Sequence, residues 1–88
     1  MAITFVNNTQ TGYGLIVSPD GKQQDAVTSG WVAGNSHTPL DKVPKGKLYQ
    51  VGYINQNDSN YQGGYCWVSN VAADGVVTLT ATVKNPAE

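Results

Sequence analysis

Apolar and polar side chains alternate with period two along much of this chain. That spacing marks strands, because successive side chains of an extended backbone point to opposite faces. The clearest stretch is Val76 to Val83, where Val77, Leu79, Ala81 and Val83 alternate with Thr78, Thr80 and Thr82. Ile3 and Phe5 share one side of an opening strand, and Leu15 and Val17, or else Ile16, share one side of a second. Leu48 to Asn55 sets Tyr49, Val51 and Tyr53 against Leu48, Gln50, Gly52 and Ile54, and Tyr65 to Val71 sets Tyr65, Trp67 and Val71 against Cys66, Val68 and Asn70. Gln23 to Val27 predicts a further short strand. Ser29 to Pro39, interrupted by Gly30, Gly34, Asn35 and Pro39, reads as mostly loop around a short extended piece at Trp31-Val32.

The punctuation agrees with this pattern. Ser18-Pro19-Asp20-Gly21 has Pro at the second turn position and Gly where a positive φ is needed. Pro44-Lys45-Gly46-Lys47 introduces the Leu48 strand, and Ala73-Asp74-Gly75 forms a tight link before the last one. The chain therefore predicts a single all-β domain over residues 1–88, a small antiparallel β-sandwich or flattened barrel of about six strands. Its expected core includes Ile3, Phe5, Leu15, Val17, Val51, Val68, Leu79 and Val83.

Composition narrows the function. The 88 residues carry five Lys, no Arg and a net charge of -1, with only 12% charged residues. Without Arg forks or a basic surface there is little to hold phosphates, which argues against nucleic acid. A chain this short has one thin core and no room for an active-site cleft between lobes. No basic n-region followed by an apolar run opens the sequence, so a cytoplasmic protein is expected, or a secreted one if a signal peptide has been removed. Apolar runs reach only about three residues, far short of a transmembrane segment. The lone Cys66 cannot close an internal disulfide. With so small a core and no staple, a homodimer or higher homo-oligomer is expected.

Catalytic chemistry has weak support. His37 is the single His, with Ser36 beside it and Asp41 four residues on, but no nucleophile-elbow pattern accompanies it. One His and one Cys cannot build a transition-metal site within one chain, and no cofactor is called for. The run Asn55 to Asn60 is rich in side-chain oxygens, yet a single carboxylate makes a poor calcium loop. Asn7-Asn8-Thr9 and Asn57-Asp58-Ser59 match the glycosylation pattern, which a cytoplasmic chain would never use.

The most informative stretch runs from Asn55 to Trp67. A sugar offers apolar C–H faces and rings of hydroxyls, so its binding site needs flat aromatic rings beside groups that both donate and accept. Trp31, Tyr61 and Trp67 fill the first role, although Trp67 also reads as a core residue at the inward phase of its strand. Asn55, Asn57, Asp58, Asn60 and Gln62 fill the second, and Gly63 and Gly64 allow close approach to the backbone. The leading expectation is a non-enzymatic, lectin-like carbohydrate-binding module. A structural or protein-interaction domain assembling through its aromatic face or edge strands is the alternative. A lipid-surface or pore-forming protein, binding through its Tyr and Trp rings, is the third reading, against which the Lys42, Lys45 and Lys47 cluster is too small to hold anionic lipid strongly.

Overall fold

A computed structural model describes residues 1–55 and 65–80. Within them seven strands form in chain order: β1 (Ile3–Asn7), β2 (Tyr13–Ser18), β3 (Thr28–Val32), β4 (Ser36–Leu40), β5 (Leu48–Ile54), β6 (Cys66–Ala72) and β7 (Val76–Leu79). They make two sheets, one in the order β4-β1-β7 and one in the order β3-β2-β5-β6. The described strands close no barrel. One hydrophobic cluster draws on both sheets, taking Ile3, Phe5, Leu40, Val77 and Leu79 from the first and Tyr13, Leu15, Val17, Val32, Tyr49, Val51 and Val71 from the second. Of the expected core, Ile3, Phe5, Leu15, Val17, Val51 and Leu79 are buried, Val68 packs half-buried against them, and Val83 lies outside the described residues.

Four features differ from the sequence expectation. Gln23–Asp25 is a turn of 3-10 helix, not a strand. Ser36–Leu40 is a strand, not loop; only Leu40 among its side chains is buried, so it carries no apolar alternation to betray it. Its pairing with β1 holds it extended, and Pro39 is tolerated because β4 is an edge strand. The sheets are not purely antiparallel, since β1 and β7 run parallel with Phe5 opposite Val77.

The fourth difference is a bulge in β6. Val51 pairs with Val68 and Tyr49 with Val71, so two steps along β5 match three along β6. Asn70, at φ 62°, takes up the extra residue, a left-handed conformation that Asn tolerates better than most side chains. The bulge reverses the phase of the strand. Val68 and Val71 both point inward, and Trp67 shares the outward face with its partner Gly52 rather than the core face.

One buried polar group organises an end of the molecule. Asn7 is fully buried, and its side chain uses both ends. Its amide N–H groups donate to the carbonyls of Thr11 (2.7 Å) and Ala33 (3.1 Å). Its oxygen accepts from the backbone N–H of Thr9 (2.9 Å) and from the Thr9 hydroxyl (2.7 Å). Asn35 N–H then donates to the Thr9 carbonyl at 2.8 Å. The β1–β2 and β3–β4 loops are thereby joined, and the Asn7 amide is sequestered in structure, not presented as a glycosylation acceptor.

Candidate functional site

Residues directly opposite in an antiparallel pair share a face. Trp31 on β3 is opposite Gly14 on β2, which is opposite Ile54 on β5. In the next row Ser29, Ile16, Gly52 and Trp67 stand side by side across the four strands. This outward face of the β3-β2-β5-β6 sheet is apolar where a solvated face would be polar. Ile16 is only 3% exposed although it lies outside the core cluster, and Ile54 is likewise buried outside it.

Aromatic rings stand at both margins of that face. Trp31, on the edge strand β3, is 53% exposed, and its six-membered ring rests where a side chain on Gly12 would be. At the other margin Tyr65 and Trp67 lie with ring centroids 5.7 Å apart and planes tilted by 47°. Between them the floor formed by Gly14, Ile16, Gly52 and Ile54 is buried, so only the margins of this face reach solvent. A Cβ at Gly52 would come within 2.8 Å of Ile16 Cγ2 and 2.9 Å of Tyr65 Cβ.

The topology also segregates charge. Ser18, at the end of β2, pairs with Gln50 near the start of β5, and Leu48 pairs with Ala72 at the end of β6. The segments leaving that end of the sheet hold Asp20, Lys22, Asp25, Asp41, Lys42, Lys45, Lys47 and Asp74. The opposite end, where Tyr13 pairs with Val32 and β5 finishes at Ile54, gathers the β1–β2 loop, the β3–β4 loop and Asn55. Their described residues are uncharged and rich in amides: Asn8, Gln10, Asn35 and Asn55. Asn8, Gln10 and Asn35 are exposed, and their side chains make no hydrogen bond among the described residues. Trp31, Tyr65 and the amides therefore meet at one end.

Of the sequence-predicted site, the structure describes Trp31, Asn55 and Trp67. It brings Trp31 and Trp67 to one face and sets Asn55, partly buried, at the amide-rich end. Asn57, Asp58, Asn60, Tyr61 and Gln62 lie outside the described residues, as do Gly63 and Gly64. Sequence reasoning missed Gln10, Asn35 and Tyr65. The first two come from loops remote in sequence from Asn55, and only the strand order reveals that they share an end.

Other chemistry-bearing groups sit apart from this face. His37 pairs with Val6 on the β4-β1-β7 sheet, whereas Cys66 pairs with Tyr53 in the other sheet. His37 and Asp41 are four residues apart along an extended segment, about 13 Å. Tyr53 packs edge-on against Tyr13 at 6.0 Å, and burial, reinforced by Cys66 and then Tyr13, pushes its phenol above the usual tyrosine range. At the charged end the Ser18 hydroxyl donates to Asp20 at 2.8 Å, and the Lys22 N–H donates to Asp20 at 3.0 Å. A hydrogen bond between the Asp20 and Asp25 carboxyls, with help from Ser18, holds Asp20 below the ordinary aspartate range, and the same bond holds Asp25 above it. Comparison with protein-family models, curated proteins and solved structures finds no match to this chain.

Proposed function

We propose that this protein is a non-enzymatic, lectin-like recognition module that binds carbohydrate at the Trp31 margin and amide-rich end of its four-stranded sheet, with the two sheets forming a β-sandwich scaffold. The observation that carries the reading is the exposed Trp31, with the Tyr65–Trp67 pair on the same face, next to loops whose Asn8, Gln10 and Asn35 side chains are exposed and make no hydrogen bond among the described residues. Indole and phenol rings stack on the C–H face of a pyranose, and neutral amides match hydroxyls as donor and acceptor together. A glycan array tests this directly. Specific binding, competed by free sugar and lost in Trp31→Ala with an unchanged circular-dichroism spectrum, is the expected result; a blank array from folded protein refutes it.

A second reading has one observation in its favour. Leu48 and Val76 are 56% and 65% exposed, apolar positions suited to a protein contact, which supports an interaction domain that assembles with itself or a partner. Concentration-dependent association without glycan binding would select it. The lipid-surface reading is weakened by geometry, because Lys42, Lys45 and Lys47 leave the end of the sheet opposite to Trp31 and Tyr65. One anionic surface cannot engage both ends at once.

A further inference from the structure

We infer that two copies of this chain associate by pairing their β7 strands antiparallel about a two-fold axis, which joins their β4-β1-β7 sheets into one. The inference concerns the edge of the three-stranded sheet and stands apart from the carbohydrate reading.

The two sheets end in four outer strands, β4, β7, β3 and β6. An open edge invites pairing with any extended chain, and three of these strands carry a feature that discourages it. β4 contains Pro39, which has no N–H to offer. β6 is interrupted by the bulge at Asn70. β3 is joined to β4 by the short link Ala33 to Asn35 and lies against it; a Cβ on Gly30 would come within 2.5 Å of Leu40 Cδ2. β7, with the sequence Val-Val-Thr-Leu, has no Pro, no charged side chain and no bulge, and its single neighbour among the described strands is β1.

Only one side of the β7 backbone is used by that neighbour. Thr4 N–H donates to the Gly75 carbonyl at 3.0 Å and Asn8 N–H to the Leu79 carbonyl at 2.9 Å, so the odd-numbered residues turn their peptide groups to β1. Val76 and Thr78 therefore turn theirs to the other side. Both side chains are exposed, Val76 at 65%, whereas Val77 and Leu79 are buried in the core.

A second copy satisfies this edge. In an antiparallel pair centred on Val77, Val76 of each copy is opposite Thr78 of the other, so the outward-turned peptide groups meet, and the two-fold axis keeps the core side chains of both copies on one side of the joined sheet. Charge permits the pairing. The nearest described charged residue on this segment, Asp74, would fall opposite Thr80 of the other copy and about 20 Å from its own counterpart. Trp31 is on β3, which lies on the β4 side of the molecule, so its margin stays free. An edge of 4 residues covers less than the roughly 800 Å² per partner of a stable complex, and the dimer is accordingly weak, with a dissociation constant on the order of 10 µM to 1 mM.

Sedimentation equilibrium over about that concentration range, paired with amide hydrogen exchange read by NMR, is the test. The expected result is a monomer–dimer equilibrium in which the Val76 and Thr78 amides slow in step with the dimer, while those of Val77 and Leu79 are protected throughout. Val76→Lys combined with Thr78→Lys, both at exposed positions, sets like charges opposite each other and should raise the dissociation constant roughly tenfold or more. Mixing that variant with Val76→Glu combined with Thr78→Glu should restore association as a heterodimer, and Leu48→Lys should leave it unchanged. A monomer at the highest concentration, with both amides exchanging freely, overturns the inference and leaves the edge to a different partner. Protection of both amides at every dilution also overturns it, because the edge would then be occupied within one chain. So does a dimer that Leu48→Lys abolishes and charges at positions 76 and 78 do not.

Discussion

Replacing Asn7 with Ala should remove a large fraction of the stability of this domain. The side chain is fully buried and makes four hydrogen bonds, two donated and two accepted. Truncation strands their partners unequally. The carbonyls of Thr11 and Ala33 are on half-buried residues that water can reach, and the Thr9 hydroxyl can turn its one proton to the Thr11 carbonyl, 3.0 Å away. The Thr9 N–H, on a buried residue, has no substitute partner in the loop. One orphaned buried donor costs about 1–3 kcal/mol, and each re-solvated bond about 0.5–1.5 kcal/mol, so a loss of roughly 2–4 kcal/mol is expected. For 88 residues the total is on the order of 4–13 kcal/mol. Urea denaturation reads the effect as a lower midpoint with unchanged slope, a shift of about 1–3 M.

Asn7→Asp sharpens the test. At neutral pH a carboxylate oxygen would replace the amide nitrogen that faces two carbonyls, so this variant should be less stable than Asn7→Ala. The introduced carboxyl would have a folded pKa raised above its unfolded value. Below the unfolded value the neutral acid restores one of the two donated bonds, so stability is regained in part, and that part is lost as pH rises through the folded value. A loss under about 1 kcal/mol in Asn7→Ala, the size of an ordinary surface change, or an Asn7→Asp variant indifferent to pH, would refute the account of Asn7 as the tie between the loops.

Other substitutions probe the bulge, the glycine floor and the carboxyl pair. Asn70→Gly should be close to neutral and Asn70→Val should cost about 1–2 kcal/mol, because a β-branched residue resists positive φ; equal stability of the two in urea would mean that the bulge is not strained by its side chain. Gly52→Ala should destabilise by about 1–3 kcal/mol through overpacking against Ile16 and Tyr65, and should alter the intrinsic tryptophan fluorescence; an unchanged midpoint and spectrum would disprove the tight floor. In an NMR titration Asp20 should titrate below the ordinary aspartate range and Asp25 above it. Asp25's contribution to stability is then full in acid and fades as pH rises through its raised value, while Asp20's is present at neutral pH and fades as pH falls through its lowered one. Coincident titration of the two would break the pairing.

The strands were legible in the sequence where a segment buries one face and exposes the other. Ile3 and Phe5, Leu15 and Val17, and Val77 and Leu79 each announce the inward side of a strand, and the structure buries all six. Legibility failed where pairing rather than burial holds the backbone extended, as in Ser36–Leu40. It failed also where one added residue inverts the phase, as at Asn70, so that Trp67 and Val71 fall on opposite faces although their spacing implies a shared one. For the candidate site, the aromatics were visible one by one, and Trp31 stood out through its glycine and polar neighbours. The convergence of Gln10, Asn35 and Asn55 at one end was not visible, because local spacing does not encode strand order.

The parallel pairing of β1 with β7 has a consequence for how the chain is made. It joins position 4 to position 76, so one flank of β1 has no strand to pair with until some seventy further residues have been synthesised. The β3-β2-β5-β6 sheet, built from residues 13 to 72, pairs its strands earlier. At about 5–20 residues per second, β1 spends seconds on the ribosome as an open template for any extended segment, from the same nascent chain or a neighbouring one. Contacts of such long sequence separation also slow refolding from denaturant. Overexpression that crowds nascent chains together should therefore favour strand exchange at β1, and a permuted chain in which Val76–Leu79 precedes Ile3–Asn7 would shorten the window.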